Sequence, residues 1–105
     1  MSGNEIESGP ARHVTIPNEL GLHARPAAAF VKLSSRFDCE IYIAKGDLEV
    51  NGKSIMGVMM LAAACGSTVR IRAEGPAAAE AVEALAALVE SGFGENHAGG
   101  GWARA

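Results

Sequence analysis

The sequence contains few cysteines, few aromatic residues and no surplus of positive charge. Its 105 residues include two cysteines, one tryptophan, one tyrosine and three phenylalanines, and 9 Lys+Arg against 12 Asp+Glu give a net charge of −3. A mildly acidic chain argues against nucleic acid as the main partner, which normally requires a basic face. Cys39, Cys65 and the three histidines show no zinc-ligand spacing, so we expect no metal and no cofactor.

Long hydrophobic runs are also missing. The most apolar run, Ile55–Cys65, has 11 residues, whereas a bilayer requires roughly 20, so no membrane association is expected. Met1–Gly9 carries Glu5 and Glu7 and has no apolar stretch, which argues against a secretory signal. Without export, both cysteines are expected to be reduced thiols in a cytoplasmic protein.

The length allows one small domain, and alanine supplies 20 of its residues. The core must therefore be small and closely packed. Residues 1–11 are small and polar and predict a flexible arm, whereas residues 92–105 are rich in glycine and predict a flexible tail. The folded domain is expected at residues 12–91.

Hydrophobic periodicity predicts four strands and three helices in the order β-α-β-β-α-β-α. They are expected at Arg12–Ile16, Ala24–Arg36, Glu40–Ile43, Leu48–Val50, Ile55–Leu61, Thr68–Ala73 and Ala77–Glu90. In so short a chain this order predicts an α+β fold, an open-faced two-layer β-sandwich. Its four-stranded sheet is expected to be mainly antiparallel, with the three helices on one face.

A histidine stands at the predicted start of the first helix. Gly21–Ala27 reads G-L-H-A-R-P-A, and Pro26 fits the first helical turn, where a missing N–H is harmless. His23 is therefore expected at or just before the N-cap, beside unpaired amides and the positive end of the helix dipole. With Arg25 two residues on, this setting favours a nucleophilic nitrogen and accommodates an attached phosphoryl group. The alternative is an ordinary capping or surface histidine.

The second predicted helix follows Ser54, a favoured N-cap residue. Capping alone would explain this serine, but its hydroxyl is also available for phosphorylation. The helix is unusually apolar, and we expect Val58 and Leu61 with one neighbour to face the core. The other Met and Ile side chains predict an adaptable docking patch on the surface, with ordinary core packing as the alternative.

The tripeptide Gly52-Lys53-Ser54 lies between a strand and a helix and partly matches a P-loop. The full pattern needs a glycine, four residues and then Gly-Lys-Ser, but five residues separate Gly46 from Gly52. A chain of this length also lacks the large parallel sheet to which such a site belongs. We therefore do not expect a nucleotide site.

Two blocks of the sequence resemble the HPr family, the histidine phosphocarriers of the bacterial sugar phosphotransferase system. G-L-H-A-R-P-A at Gly21–Ala27 is similar to the family's active-site signature, and N-G-K-S-I-M-G-V-M-M-L at Asn51–Leu61 is similar to its regulatory-serine region. The resemblance extends over about Val14–Val89. Asn18-Glu19-Leu20 also resembles the nitrogen-related branch of the family, which leaves the pathway open.

The resemblance implies a carrier function. His23 would accept a phosphoryl group at Nδ1 from phospho-enzyme I, and ultimately from phosphoenolpyruvate, and pass it to a IIA component. Arg25 would assist transfer, and an HPr kinase/phosphorylase would modify Ser54. The implied partner contacts are Leu22, Ala24, Ile55, Met56 and Met59. The protein would be a monomer and a transiently phosphorylated component rather than an enzyme, with roles in sugar transport and carbon catabolite regulation.

A pure regulatory binding module is the other hypothesis. It would use the surface formed by Ile55–Met60 to bind a transcriptional regulator or an enzyme, with Ser54 as its switch and His23 idle. Regulators of this type in the family lack the histidine, so the presence of His23 weighs against this hypothesis. A variant without a phosphorylatable His23 that kept every cellular function would favour it.

Overall fold

The computed structural model describes residues 9–94, which contain four strands and three helices. In chain order they are β1 (Ala11–Thr15), α1 (Ala24–Ser34), β2 (Glu40–Lys45), β3 (Leu48–Asn51), α2 (Ile55–Met60), β4 (Thr68–Glu74) and α3 (Ala78–Glu90). The predicted order of elements is therefore confirmed. Their ends coincide with the predicted ends or differ from them by at most two residues, which is the usual uncertainty at element termini.

The four strands form one antiparallel sheet in the order β1-β4-β2-β3. β4 pairs with β1, where Val14 lies opposite Val69, and with β2, where Ile43 lies opposite Ile71. β2 and β3 form the predicted hairpin, with Gly46 in its turn. β1 and β3 are therefore the edge strands, and the two central strands carry most of the buried surface.

The core lies between one face of this sheet and the three helices. α3 packs along β1 and β4, and α1 packs against both α2 and α3. Alternate strand residues point toward the helices and are buried, as strand geometry requires: Val14, Ile41, Ile43, Val69, Ile71 and Ala73. The helices add Phe30, Val58, Val82 and Leu85. This arrangement confirms the predicted open-faced sandwich.

The predicted N-terminal arm and the predicted C-terminal tail each contribute residues to the fold. Ala11 lies in β1, and the carbonyl of Pro10 accepts a hydrogen bond of 3.2 Å from Ala73 N. At the other end, the chain turns back through Gly92, which has φ +81°, and Phe93 is only 6% exposed against the core. The rest of the predicted arm and tail, residues 1–8 and 95–105, lies outside the described residues.

The other face of the sheet carries charged side chains that pair with one another. The Arg72 guanidinium donates to both carboxylate oxygens of Glu49, at 2.8 and 2.9 Å, and also to Glu74. It also stacks over the Tyr42 ring, 4.2 Å from the centroid. The Arg72 hydrogen bond, joined by the charges of Arg72 and Arg70, lowers the pKa of Glu49, although partial burial acts in the opposite direction.

We predict that Glu49→Gln weakens the acid sensitivity of the fold. Because the pKa of Glu49 is lower in the folded state, its stabilisation is fully present above the unfolded value of about 4.3 and is lost as pH falls through the folded value. Urea unfolding at pH 7 and pH 3 should therefore show a smaller loss of stability for Glu49→Gln than for wild type. Glu40→Gln, an exposed change on the same face, is the control, and parallel pH curves for Glu49→Gln and wild type would contradict the prediction.

Candidate functional site

His23 is the N-cap of α1. Its backbone is extended, with φ −87° and ψ −168°, and its carbonyl accepts the first helical hydrogen bond from Ala27 N at 3.0 Å. Its side chain makes no capping hydrogen bond. The histidine therefore stands at the helix start through its backbone, and its imidazole is not used to close the helix. This position confirms the one expected from the sequence.

Two backbone amides are left to bind an anion beside His23. Of the donors at the start of α1, His23 N is bonded to the Gly21 carbonyl at 3.0 Å, and Pro26 has no N–H. Within the described part of the chain, only Ala24 N and Arg25 N lack an acceptor among the amides of this first turn. They lie at the positive end of the helix dipole, where anions bind favourably.

The charge around this helix end is also positive. Arg25 is exposed, as expected, and forms no ion pair with any residue between 9 and 94. The first turn of α1 contains no acidic residue. The guanidinium is therefore available to bind phosphate oxygens, for which its planar set of donors is well suited.

The imidazole of His23 is half-buried. Nε2 is buried, with almost no accessible surface. Burial of Nε2 leaves Nδ1 as the candidate nitrogen for reaction with a large partner protein. This is the ring nitrogen that the family resemblance implies as the phosphorylated one.

A tight turn precedes His23 and connects it to the segment after α2. Gly21 N donates to the Asn18 carbonyl at 3.0 Å, the Asn18 side-chain amide donates to the Gly21 carbonyl at 2.7 Å, and Leu22 N donates to the Ala63 carbonyl at 2.8 Å. Leu22 is only 5% exposed and belongs to the core. Its side chain faces inward and therefore offers little surface for the partner contact expected from the sequence. Sequence reasoning gave Asn18 no structural role.

Ser54 caps α2 as predicted. Its Oγ accepts a hydrogen bond of 3.0 Å from Gly57 N, and its half-buried side chain lies at the first residue before the helix. The preceding residues have structural roles that differ from those of a P-loop. A Cβ at Gly52 would lie 2.6 Å from the Ile41 side chain, and Lys53 Nζ donates to the Phe37 carbonyl at 2.6 Å.

The exposed face of α2 forms an apolar surface, which we call the α2 patch. It consists of Ile55, Met56, Met59 and Met60, which are 44%, 76%, 40% and 65% exposed. Val58 and Leu61 are buried, as expected. Ala24, at the start of α1, is also exposed. Leu20 is 77% exposed in the turn before His23 and was not among the partner contacts expected from the sequence.

The remaining candidate groups lie apart from this arrangement. His13 is exposed on β1, opposite Arg70 on the open face of the sheet. Cys39 is buried and Cys65 is exposed, and both are free thiols. Between residues 9 and 94 no group of His, Cys, Asp and Glu side chains is arranged to hold a metal ion, and no helix is long and apolar enough to cross a membrane.

Known proteins are similar to this chain in both sequence and fold. The family model for the HPr component phosphorylation site of the phosphotransferase system (PTS) matches residues 10–91. Phosphocarrier protein HPr of Neisseria meningitidis serogroup A is 48% identical over 82 residues, which cover 78% of this chain and 92% of the relative. Phosphocarrier protein HPr of Pseudomonas putida is 47% identical over 87 residues, covering 82% and 97%.

A solved structure agrees with these matches. The crystal structure of HPr from Thermoanaerobacter tengcongensis superposes with a TM-score of 0.78 at 46% identity, covering 82% of this chain and 97% of that one. Fold, sequence and family model therefore point to the same conclusion. The chain belongs to the HPr family of phosphocarrier components of the phosphotransferase system.

Proposed function

We propose that this protein carries a phosphoryl group on Nδ1 of His23, which it accepts from phospho-enzyme I and passes to a IIA component. One observation supports this above all others. A half-buried imidazole lies at a helix start that offers two backbone amides, beside an arginine that forms no ion pair with any residue between 9 and 94. A passive surface histidine would not need such a setting.

The transfer itself needs no cofactor. The lone pair of Nδ1 attacks the phosphorus of phospho-enzyme I, a phosphorus–nitrogen bond forms, and the donor group leaves with the electron pair of the bond that breaks. Charge on the transferring oxygens is stabilised by Ala24 N, Arg25 N and the Arg25 guanidinium. Transfer to the acceptor is the same step with the imidazole as the leaving group, so the protein acts as a reusable substrate of other proteins.

Partner recognition is assigned to the surface beside the histidine. The α2 patch presents flexible methionine side chains, which adapt to differently shaped partners, and Ala24 is exposed at the start of α1. Enzyme I and the IIA component would both have to cover His23 during transfer. They would therefore bind in turn to the same face of a monomer.

Ser54 is proposed as the regulatory position, phosphorylated by an HPr kinase/phosphorylase. Its hydroxyl lies at the base of the α2 patch, directly before Ile55. A phosphate there adds about −1.5 to −2 charges to a surface that otherwise binds through apolar side chains. The modification would weaken binding of an acidic partner surface and offer a new surface to a transcriptional regulator.

His23→Ala is expected to abolish phosphorylation. Purified wild-type protein should gain one acid-labile, base-stable phosphate from phosphoenolpyruvate and enzyme I, as measured by labelling and mass spectrometry. His13→Ala is the matched control, since His13 is exposed on the sheet and its loss should leave labelling unchanged. Stable incorporation of phosphate by His23→Ala would refute the carrier proposal.

Arg25→Ala is expected to slow transfer by roughly tenfold or more without unfolding the domain, because it removes a charge-assisted hydrogen bond to the phosphoryl oxygens. The midpoint of thermal unfolding should stay close to that of wild type, since the side chain is exposed. Arg36→Ala removes the same charge just after α1 and serves as the control. Equal rapid-quench rates for Arg25→Ala and Arg36→Ala would exclude a role for Arg25 in transfer.

Ser54→Ala is expected to lower the free energy of unfolding by about 1 kcal/mol, because Gly57 N loses its acceptor. Ser54→Asp keeps an acceptor and adds negative charge, so it should retain stability but raise the KM of enzyme I for the protein. Ser35→Ala, an exposed change elsewhere, should alter neither quantity. A wild-type KM for Ser54→Asp would argue against control of docking by charge at this position.

A further inference from the structure

We propose that Asn18 is a positioning residue for His23, and that its side-chain amide holds the backbone from which the imidazole extends. This inference rests on the proposed carrier function and adds to it a residue outside both sequence blocks that resemble the family. Asn18 is 4% exposed, so it acts from beneath the surface and does not touch a bound partner.

The positioning acts through one carbonyl group. The Gly21 carbonyl accepts two hydrogen bonds, one of 2.7 Å from Asn18 Nδ2 and one of 3.0 Å from His23 N. The Asn18 carbonyl in turn accepts from Gly21 N at 3.0 Å. Asn18 is therefore hydrogen-bonded to both the N–H and the carbonyl group of Gly21. The amide of His23 is bonded to the same Gly21 carbonyl oxygen. A shift of that oxygen would be transmitted directly to His23.

The other side of the turn is in close contact with the segment after α2. Gly21 has φ +71°, and a Cβ there would lie 2.5 Å from the Ala63 carbonyl oxygen. Leu22 N is bonded to that same oxygen, and the Leu22 side chain is buried. The turn is thus pressed against the segment after α2, and the Asn18 amide closes it from the opposite side.

The consequence for transfer is geometric. The extended backbone of His23 sets where Nδ1 lies relative to Ala24 N and Arg25 N. These groups must meet the same phosphoryl group, and small displacements of reacting groups reduce rates strongly. Without the Asn18 amide, His23 N would still have an acceptor, but that acceptor would no longer be held in place.

Two substitutions test this assignment. Asn18→Asp keeps the shape of the side chain but loses the donor when ionised, and Asn18→Ala removes the side-chain amide. Both are compared with Ile71→Val, a fully buried change in β4 far along the chain from this turn, which destabilises the core without touching the turn. Steady-state phosphorylation by enzyme I is measured for each protein, together with amide hydrogen exchange at His23 and at Ala27.

We expect kcat for both Asn18 variants to fall about tenfold or more while KM stays within about twofold, because the buried side chain acts on geometry and not on docking. Ile71→Val should keep the wild-type kcat. Exchange of the His23 amide should rise about tenfold relative to that of Ala27 in Asn18→Ala. A merely structural contribution to stability would instead make the Asn18 variants behave like Ile71→Val.

The outcomes separate this inference from the carrier proposal. If wild-type protein accepts no phosphate, the carrier proposal fails, while the exchange measurement still tests how Asn18 holds His23. If wild type is phosphorylated and both Asn18 variants match Ile71→Val in kcat, the positioning role is overturned. A change confined to KM would also overturn it, since it would mean that Asn18 acts on partner binding.

Discussion

The contact between the turn before His23 and the Ala63 carbonyl is the constraint on which the candidate site depends. Leu22 N is bonded to that carbonyl, and Gly21 lies so close to it that no other residue would fit without movement. Because Ala63 lies three residues after the end of α2, this contact joins the start of α1 to the segment that follows α2. Two segments about 40 residues apart in the sequence thereby contribute to one surface.

The residues that stabilise the fold are separate from the candidate site at the start of α1. Burial of aliphatic side chains between the sheet and the helices is the main stabilising contribution, and ion pairs on the open face, such as Arg72 with Glu49, support the sheet from outside. Alanines in α1 and α3 let the helices approach the sheet closely, which suits a chain with few bulky residues. The start of α1 is therefore free to display a reactive group without weakening the core.

The sequence was sufficient for those features that depend on local pattern. Strand alternation, Pro26 in the first turn and Ser54 before an apolar helix are visible in a few neighbouring residues, and the structure confirms the elements they predict. Features that depend on distant contacts were not predictable in this way. Leu22 was expected to contact partners, but it is buried and its amide is bonded to the Ala63 carbonyl. The hydrogen bond from the Asn18 side chain to the Gly21 carbonyl depends on the folded turn and leaves no pattern in the sequence.

Phe93 shows the same limit at the other end of the domain. Glycines around it indicate a flexible segment by composition, yet Gly92 and Phe93 adopt positive φ values of +81° and +63° and turn the chain back. Phe93 N donates to the Leu88 carbonyl at 2.8 Å, and the ring is buried. The sequence does not distinguish a glycine in an ordered left-handed turn from a glycine in a flexible segment. Here the burial of Phe93 shows that Gly92 belongs to an ordered turn.

The carrier role, as proposed, places opposite demands on the surface around His23. The histidine must be reached by a donor and then by an acceptor, so neither complex can be long-lived, and affinity has to come from contacts that form and break easily. Four exposed Met and Ile side chains on a six-residue helix meet this demand, since they bury apolar area without fixed geometry. Because both partners would use the same patch, a charge at Ser54 would act on uptake and delivery of the phosphoryl group together. Control at this one residue would therefore change the flow through the carrier without altering the reacting histidine.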